Sequence, residues 1–251
     1  MITILISPQD IYTGPLILVN RQHPCRLQEE KLPLLPVQQG SSIQLCAKAT
    51  LALQKLLQYI GAQQDIAAVS GWRSLVEQQQ IWRQSLDDSG LEFTQQYVAL
   101  PGCSEHQTGW AIDLGYDHGV IDFIRPAFPH SGICQTFREQ AAAFGFIERY
   151  PQGKEAVTGI AYEPWHFRYI GVPHAAILVE RGFTLEEYVA FLRQYPYGEE
   201  SLVWQKAGSS YEISFLEIKR PCTVHLPEHC QISGNNVDGM IVTVERGICC
   251  G

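Results

Sequence analysis

No run of basic residues longer than Lys219-Arg220 occurs in this chain, so it lacks the electrostatic footprint of a nucleic-acid-binding surface. Lys and Arg number 18 against 26 Asp and Glu, for a net charge of −8. No apolar stretch approaches the ~20 residues of a membrane span. The opening Met1-Ile2-Thr3-Ile4-Leu5-Ile6 is apolar, but Ser7-Pro8-Gln9-Asp10 ends it at once and no basic segment leads into it. It reads as a β-strand rather than a cleavable export signal. The eight cysteines follow no regular spacing, which argues against a disulfide framework and for free thiols in a reducing, cytoplasmic compartment. Internal repeats and low-complexity tracts are also missing.

What remains is an ordinary globular composition, 45% hydrophobic and 18% charged over 251 residues. It is enough for one large domain, or a medium one with an appendage. Residues 17–20 read as a short buried strand, and residues 21–40, with three prolines, as a wrapping loop. A helix is expected from a cap at Ser41-Ser42 to about Tyr59, with Leu45, Ala49, Ala52, Leu53, Leu56, Leu57 and Ile60 on its apolar stripe. A strand at 66–70 follows. A second helix should start at Ser74, with Glu77 completing a capping box, and run to about Ser85. Residues 110–114 alternate as a strand does. Helices at 136–144 and 185–195 and a β-rich run at 166–170 complete a first domain, residues 1–196. Beyond it, four short strands with Gly-Asn and Asp-Gly turns make residues 197–251 a small β appendage.

The chemistry concentrates in two segments: Ser104-Glu105-His106-Gln107-Thr108-Gly109-Trp110-Ala111-Ile112-Asp113 and Glu163-Pro164-Trp165-His166. Two imidazoles and a carboxylate are the three protein ligands of a catalytic zinc that keeps one position open. His106 and Asp113 stand seven apart, which on one straight strand puts them on opposite faces. A turn at Thr108-Gly109 would let them converge. His166 supplies the third ligand, and Glu163, three residues earlier, is placed to exchange a proton with water. A single His is more often a hydrogen-bonded core or surface residue, and spacing alone leaves both readings open.

At these residues the chain resembles the zinc D,D-peptidases of the VanY, VanX and VanXY group. Their signatures S-x-H-x-x-G-x-A-x-D and E-x-W-H are complete here, and Ser70-Gly71-Trp72-Arg73-Ser74 matches a third, S-G-Y/W-R-S. The resemblance covers about residues 11–195 and is nearest to the bifunctional dipeptidase and carboxypeptidase type. It implies an α+β fold of the LAS/hedgehog-like kind, an antiparallel central sheet flanked by helices. It implies removal of terminal D-Ala from D-Ala-D-Ala-containing cell-wall precursors, as in vancomycin-type resistance. By the same resemblance His106, Asp113 and His166 hold Zn2+, Glu163 is general base and acid, and Arg73 stabilises the oxyanion or polarises the scissile carbonyl. Ser104 and Gln78 are then expected to hold the terminal carboxylate of the substrate.

Two other readings remain open on sequence. A two-His-one-carboxylate iron oxygenase usually has its first His and acid one residue apart, unlike His106 and Asp113. A non-catalytic peptide-binding module would not need Glu163 and Arg73. Residues 149–161, with their two glycines, are expected to form a rim that governs peptide length. Asp117 and Asp122 read as loop acids able to meet a substrate ammonium. In the appendage, Cys222, His225, His229 and Cys230 fit no common zinc pattern and read as unrelated side chains on strand edges. Cys249-Cys250 is expected to be a frayed end.

Overall fold

The computed structural model describes residues 1–117, 119, 121–206 and 208–247; Cys249 and Cys250 lie outside them. In chain order the elements are β1 (Ile2–Ile6), β2 (Leu34–Pro36), β3 (Gln44–Cys46), α1 (Ala47–Ile60), β4 (Ile66–Ser70), α2 (Leu75–Tyr97), β5 (Ala111–Tyr116), α3 (Gly132–Ala141), β6 (Phe146–Glu148), α4 (Glu155–Thr158), β7 (His166–Tyr169), α5 (His174–Arg181), α6 (Leu185–Leu192), β8 (Leu202–Lys206), β9 (Ser209–Glu217), β10 (Cys222–Leu226), β11 (Cys230–Gly234) and β12 (Gly239–Gly247). Among the described residues no helix is long and apolar enough to cross a membrane. The division of the chain differs from a boundary at 196: one unit is Val19–Thr184, and the other joins Met1–Leu18 to Leu185–Gly251.

In the larger unit a four-stranded antiparallel sheet, ordered β4-β5-β7-β6, carries the fold. Ile112 and Phe167 face each other across β5 and β7. They share one buried cluster with Leu114, Phe137, Phe146 and the α1 residues Ala49, Leu53 and Leu56. The other face of the same two strands carries Ala111, Asp113, His166 and Arg168, because strand side chains alternate. The expected α+β architecture is therefore the observed one.

Several local expectations are corrected. Residues 17–20 form no strand, although Ile17, Leu18 and Val19 are buried. Residues 21–40 hold a 3₁₀ turn at Glu29–Lys31 and the strand β2. The first helix begins at Ala47 rather than after Ser42, because Gln44–Cys46 pairs with β2 instead. That strand also fixes two loops: the Trp72 N–H donates to the Gln44 carbonyl at 2.7 Å, and the Cys46 N–H donates to the Gly109 carbonyl at 2.8 Å. The helix after Ser74 continues past Ser85 to Tyr97, bending at Gly90 with φ 78°. A hydrogen bond between the Ser85 and Thr94 hydroxyls, 2.7 Å, spans the bend.

The start of α2 follows the capping box read from sequence: Ser74 Oγ accepts from the Glu77 N–H, and the Glu77 carboxylate accepts from the Ser74 N–H at 2.8 Å. Ser74→Ala should lower stability by about 1 kcal/mol, the usual worth of a side-chain cap. A urea midpoint shift at constant slope would measure it; an unchanged midpoint would mean the cap contributes nothing.

In the other unit, β1 pairs antiparallel with β10, from Ile2 opposite Leu226 to Ile6 opposite Cys222. A second antiparallel sheet runs β11-β12-β9-β8. Four strands were expected after residue 197 and five are found; β11 is the addition. It is short and carries its apolar residue Ile232 41% exposed, so no buried alternation marks it. Ile6, Ile11, Val224, Leu226, Met240 and Val242 form this unit's core. The turn between β11 and β12 follows its sequence: Asn235 Oδ1 accepts from the N–H groups of Val237, Asp238 and Gly239.

Candidate active site

Three neighbouring strands bring the site together. In register across the sheet, Ser70 stands opposite Asp113 and Asp113 opposite His166. His106 comes from the preceding 3₁₀ turn, Glu105–Thr108, which stops at Gly109 with φ 70°. Only glycine takes that conformation at little cost, and a Cβ at Gly109 would also lie 2.8 Å from Cys46 Sγ. The turn at Thr108-Gly109 thus converges His106 and Asp113 as their odd spacing requires.

The loop of Arg73 is locked onto the same turn. A Cβ at Gly71 would stand 2.4 Å from the Gln44 carbonyl oxygen, so β3 can approach only a glycine. His106 Nδ1 lies 2.7 Å from the Gly71 carbonyl, and the Arg73 N–H donates to the His106 carbonyl at 3.3 Å. That carbonyl makes Nδ1 the protonated nitrogen of a neutral His106 and turns the Nε2 lone pair to Asp113 Oδ2, 3.1 Å away. His166 Nδ1 is 2.9 Å from Asp113 Oδ1. Ligand atoms of His106, Asp113 and His166 all lie within 4.8 Å of one another, and all three residues are buried. Two nitrogens and a carboxylate at this separation are a donor set suited to zinc.

Around this triad stand the other expected residues. Glu163 Oε2 is 3.9 Å from His166 Nδ1. Arg73 donates from Nε to Ser70 Oγ at 3.1 Å, from Nη1 to Gln78 Oε1 at 3.1 Å and from Nη2 to Asp113 Oδ2 at 3.3 Å. Gln78, 1% exposed, also donates Nε2 to the Ala99 carbonyl at 2.8 Å. Ser104 is buried beside His106. His106, Asp113, His166, Glu163, Arg73 and Ser104 all line one cavity of about 440 Å³.

Burial dominates the electrostatics. It pushes the Glu163 carboxyl up to about 8, with Asp113 adding to the rise and His166 and Arg73 opposing it. Burial and the Arg73 cation bring His106 down to about 4, which keeps its imidazole neutral at physiological pH. His166 moves the other way: burial would lower it, but the adjoining Asp113 and Glu105 carboxylates raise it to about 9. Burial would raise Asp113, yet the two histidines hold its carboxyl well below the usual range.

Sequence reasoning passed over one part of this neighbourhood. Glu105, Arg149 and Arg168 have fully buried side chains, and Glu105 Oε1 meets Arg149 Nε at 2.8 Å and Arg168 Nη1 at 3.4 Å. A signal was present, since Arg168 is two residues from His166 on one strand and must share its face. The rim expected at 149–161 begins with buried Arg149 and Tyr150 and contains α4, and Tyr150 and Ile160 line the cavity. Asp122 Oδ1 accepts from the N–H groups of Ile124 and Arg125 in its own turn. Cys222, His225, His229 and Cys230 make no ion-holding cluster; among the described residues only His106, Asp113 and His166 do. His225 Nδ1 instead lies 2.9 Å from Thr3 Oγ1.

Known proteins resemble this chain in sequence and in fold. The family described as VanY, D-alanyl-D-alanine carboxypeptidase, matches residues 42–172. The bifunctional D-Ala-D-Ala dipeptidase and D-Ala-D-Ala carboxypeptidase VanXYC of Enterococcus gallinarum is 42% identical over 180 residues, 70% of this chain and 94% of its own length. A crystal structure of the vancomycin resistance D,D-dipeptidase VanXYg with a D-Ala-D-Ala phosphinate analog superposes with a TM-score of 0.94 at 44% identity, covering 98% of this chain and 99% of that one. The vancomycin resistance D,D-pentapeptidase VanY of a VanB-type cassette, solved with Zn(II), gives a TM-score of 0.59 at 32% identity over 70% of this chain and 98% of its own. The chain belongs to the VanY family of D-alanyl-D-alanine carboxypeptidases.

Proposed function

We propose that this chain is a zinc-dependent D-alanyl-D-alanine peptidase. It removes terminal D-Ala from the D-Ala-D-Ala dipeptide, from muramyl-pentapeptide cell-wall precursors, or from both, in a vancomycin-type resistance setting. The observation that carries the reading is the convergence of His106, Asp113 and His166 on one cavity wall with Glu163 and Arg73 beside them. These three side chains would hold Zn2+, which when bound polarises a carbonyl and makes water acidic enough to attack near neutral pH.

The protein's own residues do the rest. Glu163 stands 3.9 Å from the nearest ligand nitrogen and outside the ligand cluster, which supports a proton-carrying role rather than a ligand role. A cation among the ligands favours its carboxylate form against the burial that favours the acid. Its carboxylate then takes the proton of the attacking water and returns it to the leaving amine. Arg73, fixed on three partners, presents a planar cation to the developing oxyanion. Gln78 keeps one amide hydrogen beyond its bond to Ala99, and with the Ser104 hydroxyl it can meet the substrate carboxylate. The six described cysteines are free thiols, which supports action on precursors in the cytoplasm.

The test is a side-by-side assay of D-Ala-D-Ala and a pentapeptide precursor. Free D-Ala should be released, release should stop on stripping the metal and return with zinc, and an L-Ala-L-Ala dipeptide should be spared. Undiminished turnover by the metal-stripped protein would end the zinc reading.

A further inference from the structure

Buried charge is expensive to keep, and three ionisable side chains of this protein are fully buried in contact just behind His166. Glu105 lies between Arg149 and Arg168, and both guanidiniums approach the same carboxylate oxygen, Oε1, at 2.8 and 3.4 Å. The other oxygen, Oε2, is buried without a hydrogen-bond partner, and so is His166 Nε2. These two orphans face each other at 3.6 Å. Buried polar groups in folded proteins nearly always find partners, and here each is the other's nearest solution.

Backbone pairing shows why the cluster can exist. Arg168 stands opposite Ala111 in the register of β5 and β7, so the small side chain leaves its guanidinium room. Arg149 follows β6 and donates its N–H to the His166 carbonyl at 3.1 Å, which ties it to the same strand. Glu105 precedes His106 in the 3₁₀ turn, so one turn delivers both a ligand and the acid behind another ligand.

We infer that Glu105, clamped by Arg149 and Arg168, is a positioning residue: Oε2 accepts the Nε2–H of His166 and leaves Nδ1 as the lone pair offered to the metal. The inference rests on the zinc reading above and deepens it. His106 uses the same device with a different acceptor, its Nδ1 pointing at the Gly71 carbonyl. A ligand histidine whose second nitrogen donates to a carboxylate is oriented and made more basic, and loss of such a partner weakens metal binding about 10- to 100-fold.

Glu105→Gln is the discriminating variant. Its amide oxygen would be drawn to the two arginines, leaving the NH2 group facing a ring nitrogen that must itself donate. Zinc affinity is measured by competition with a chromogenic chelator, alongside the thermal midpoint of the stripped protein. The wild type should bind one zinc, and the folded variant should bind it about 10- to 100-fold more weakly. At saturating zinc its KM should stay close to that of the wild type. Failure of the wild type to bind zinc would end the zinc reading. A folded variant with wild-type affinity would overturn this inference alone. Should the variant not fold, nitrogen NMR of histidine-labelled, zinc-loaded wild type decides: Nε2–H with metal at Nδ1 of His166 supports the assignment, and metal at Nε2 overturns it.

Discussion

Glu163→Ala is expected to lower kcat for D-Ala-D-Ala hydrolysis by about 10²- to 10⁴-fold, the usual worth of a placed proton carrier. The upper end is favoured because one carboxyl serves twice, taking a proton from water and returning it to the amine. Zinc content should stay at that of the wild type, since His106, Asp113 and His166 form the ligand cluster without Glu163. The fold should survive too. The Glu163 carboxylate stands 3.9 Å from His166 Nδ1, too far for a hydrogen bond, so no tight ion pair is broken. Burial raises this carboxyl to about 8. Since the native state then holds a proton that the unfolded chain gives up at lower pH, the group disfavours folding near neutrality. The unfolding midpoint of the stripped variant should therefore not fall. Colorimetric D-Ala release, metal analysis and a melting curve together check the prediction. A variant within about tenfold of wild-type kcat would show that the proton moves by another route.

The site was legible where chemistry fixes residue type at short range. His106, Gly109 and Asp113 stand together in sequence because a turn must reverse their opposed faces. Glu163 and His166 are close for a similar reason, a loop feeding a strand. Arg73 was visible through the match to the S-G-Y/W-R-S signature, whose Gly71 the structure shows β3 needs in order to approach. The Glu105 cluster was hidden because its members come from three segments, residues 105, 149 and 168, and charged residues are read as exposed unless a partner is known. Ordinary strand alternation would have placed Arg168 beside His166, but not what neutralised it.

The fold was legible for the same local reasons and failed for long-range ones. The capping box at Ser74, the strand at 66–70 and the β-rich run at 166–170 were plain, the last ending one residue earlier at Tyr169. The start of α1 was misplaced because β3 exists only through its partner β2 and through the two loops it anchors. The N-terminal strand was recognised, but its partner β10 lies over 200 residues away, so its unit could not be read locally. Pairing of this kind leaves no trace in periodicity. That is why a boundary drawn at 196 by composition differs from the division the contacts make.

Arg73→Ala should cost about 10²- to 10³-fold in kcat, the range for removing one oxyanion donor. The split between kcat and KM carries the argument. If the cation acts on charge that develops only in the transition state, kcat and kcat/KM fall together and KM changes little. If Arg73 instead binds the substrate's terminal carboxylate, KM rises while kcat holds, and the role assigned to it is wrong. Arg73→Lys should recover little. A lysine keeps the charge, but one ammonium cannot reproduce the fork that reaches Ser70, Gln78 and Asp113 at 3.1, 3.1 and 3.3 Å. Because Nη2 contacts the Asp113 carboxylate, zinc per chain must be measured in both variants. Wild-type zinc content with a lowered kcat places the defect in transition-state stabilisation, and the released Gln78 amide gives a second check. With its arginine gone Gln78 Oε1 is buried and unpaired, so the Ala variant should also lose about 1–3 kcal/mol of stability.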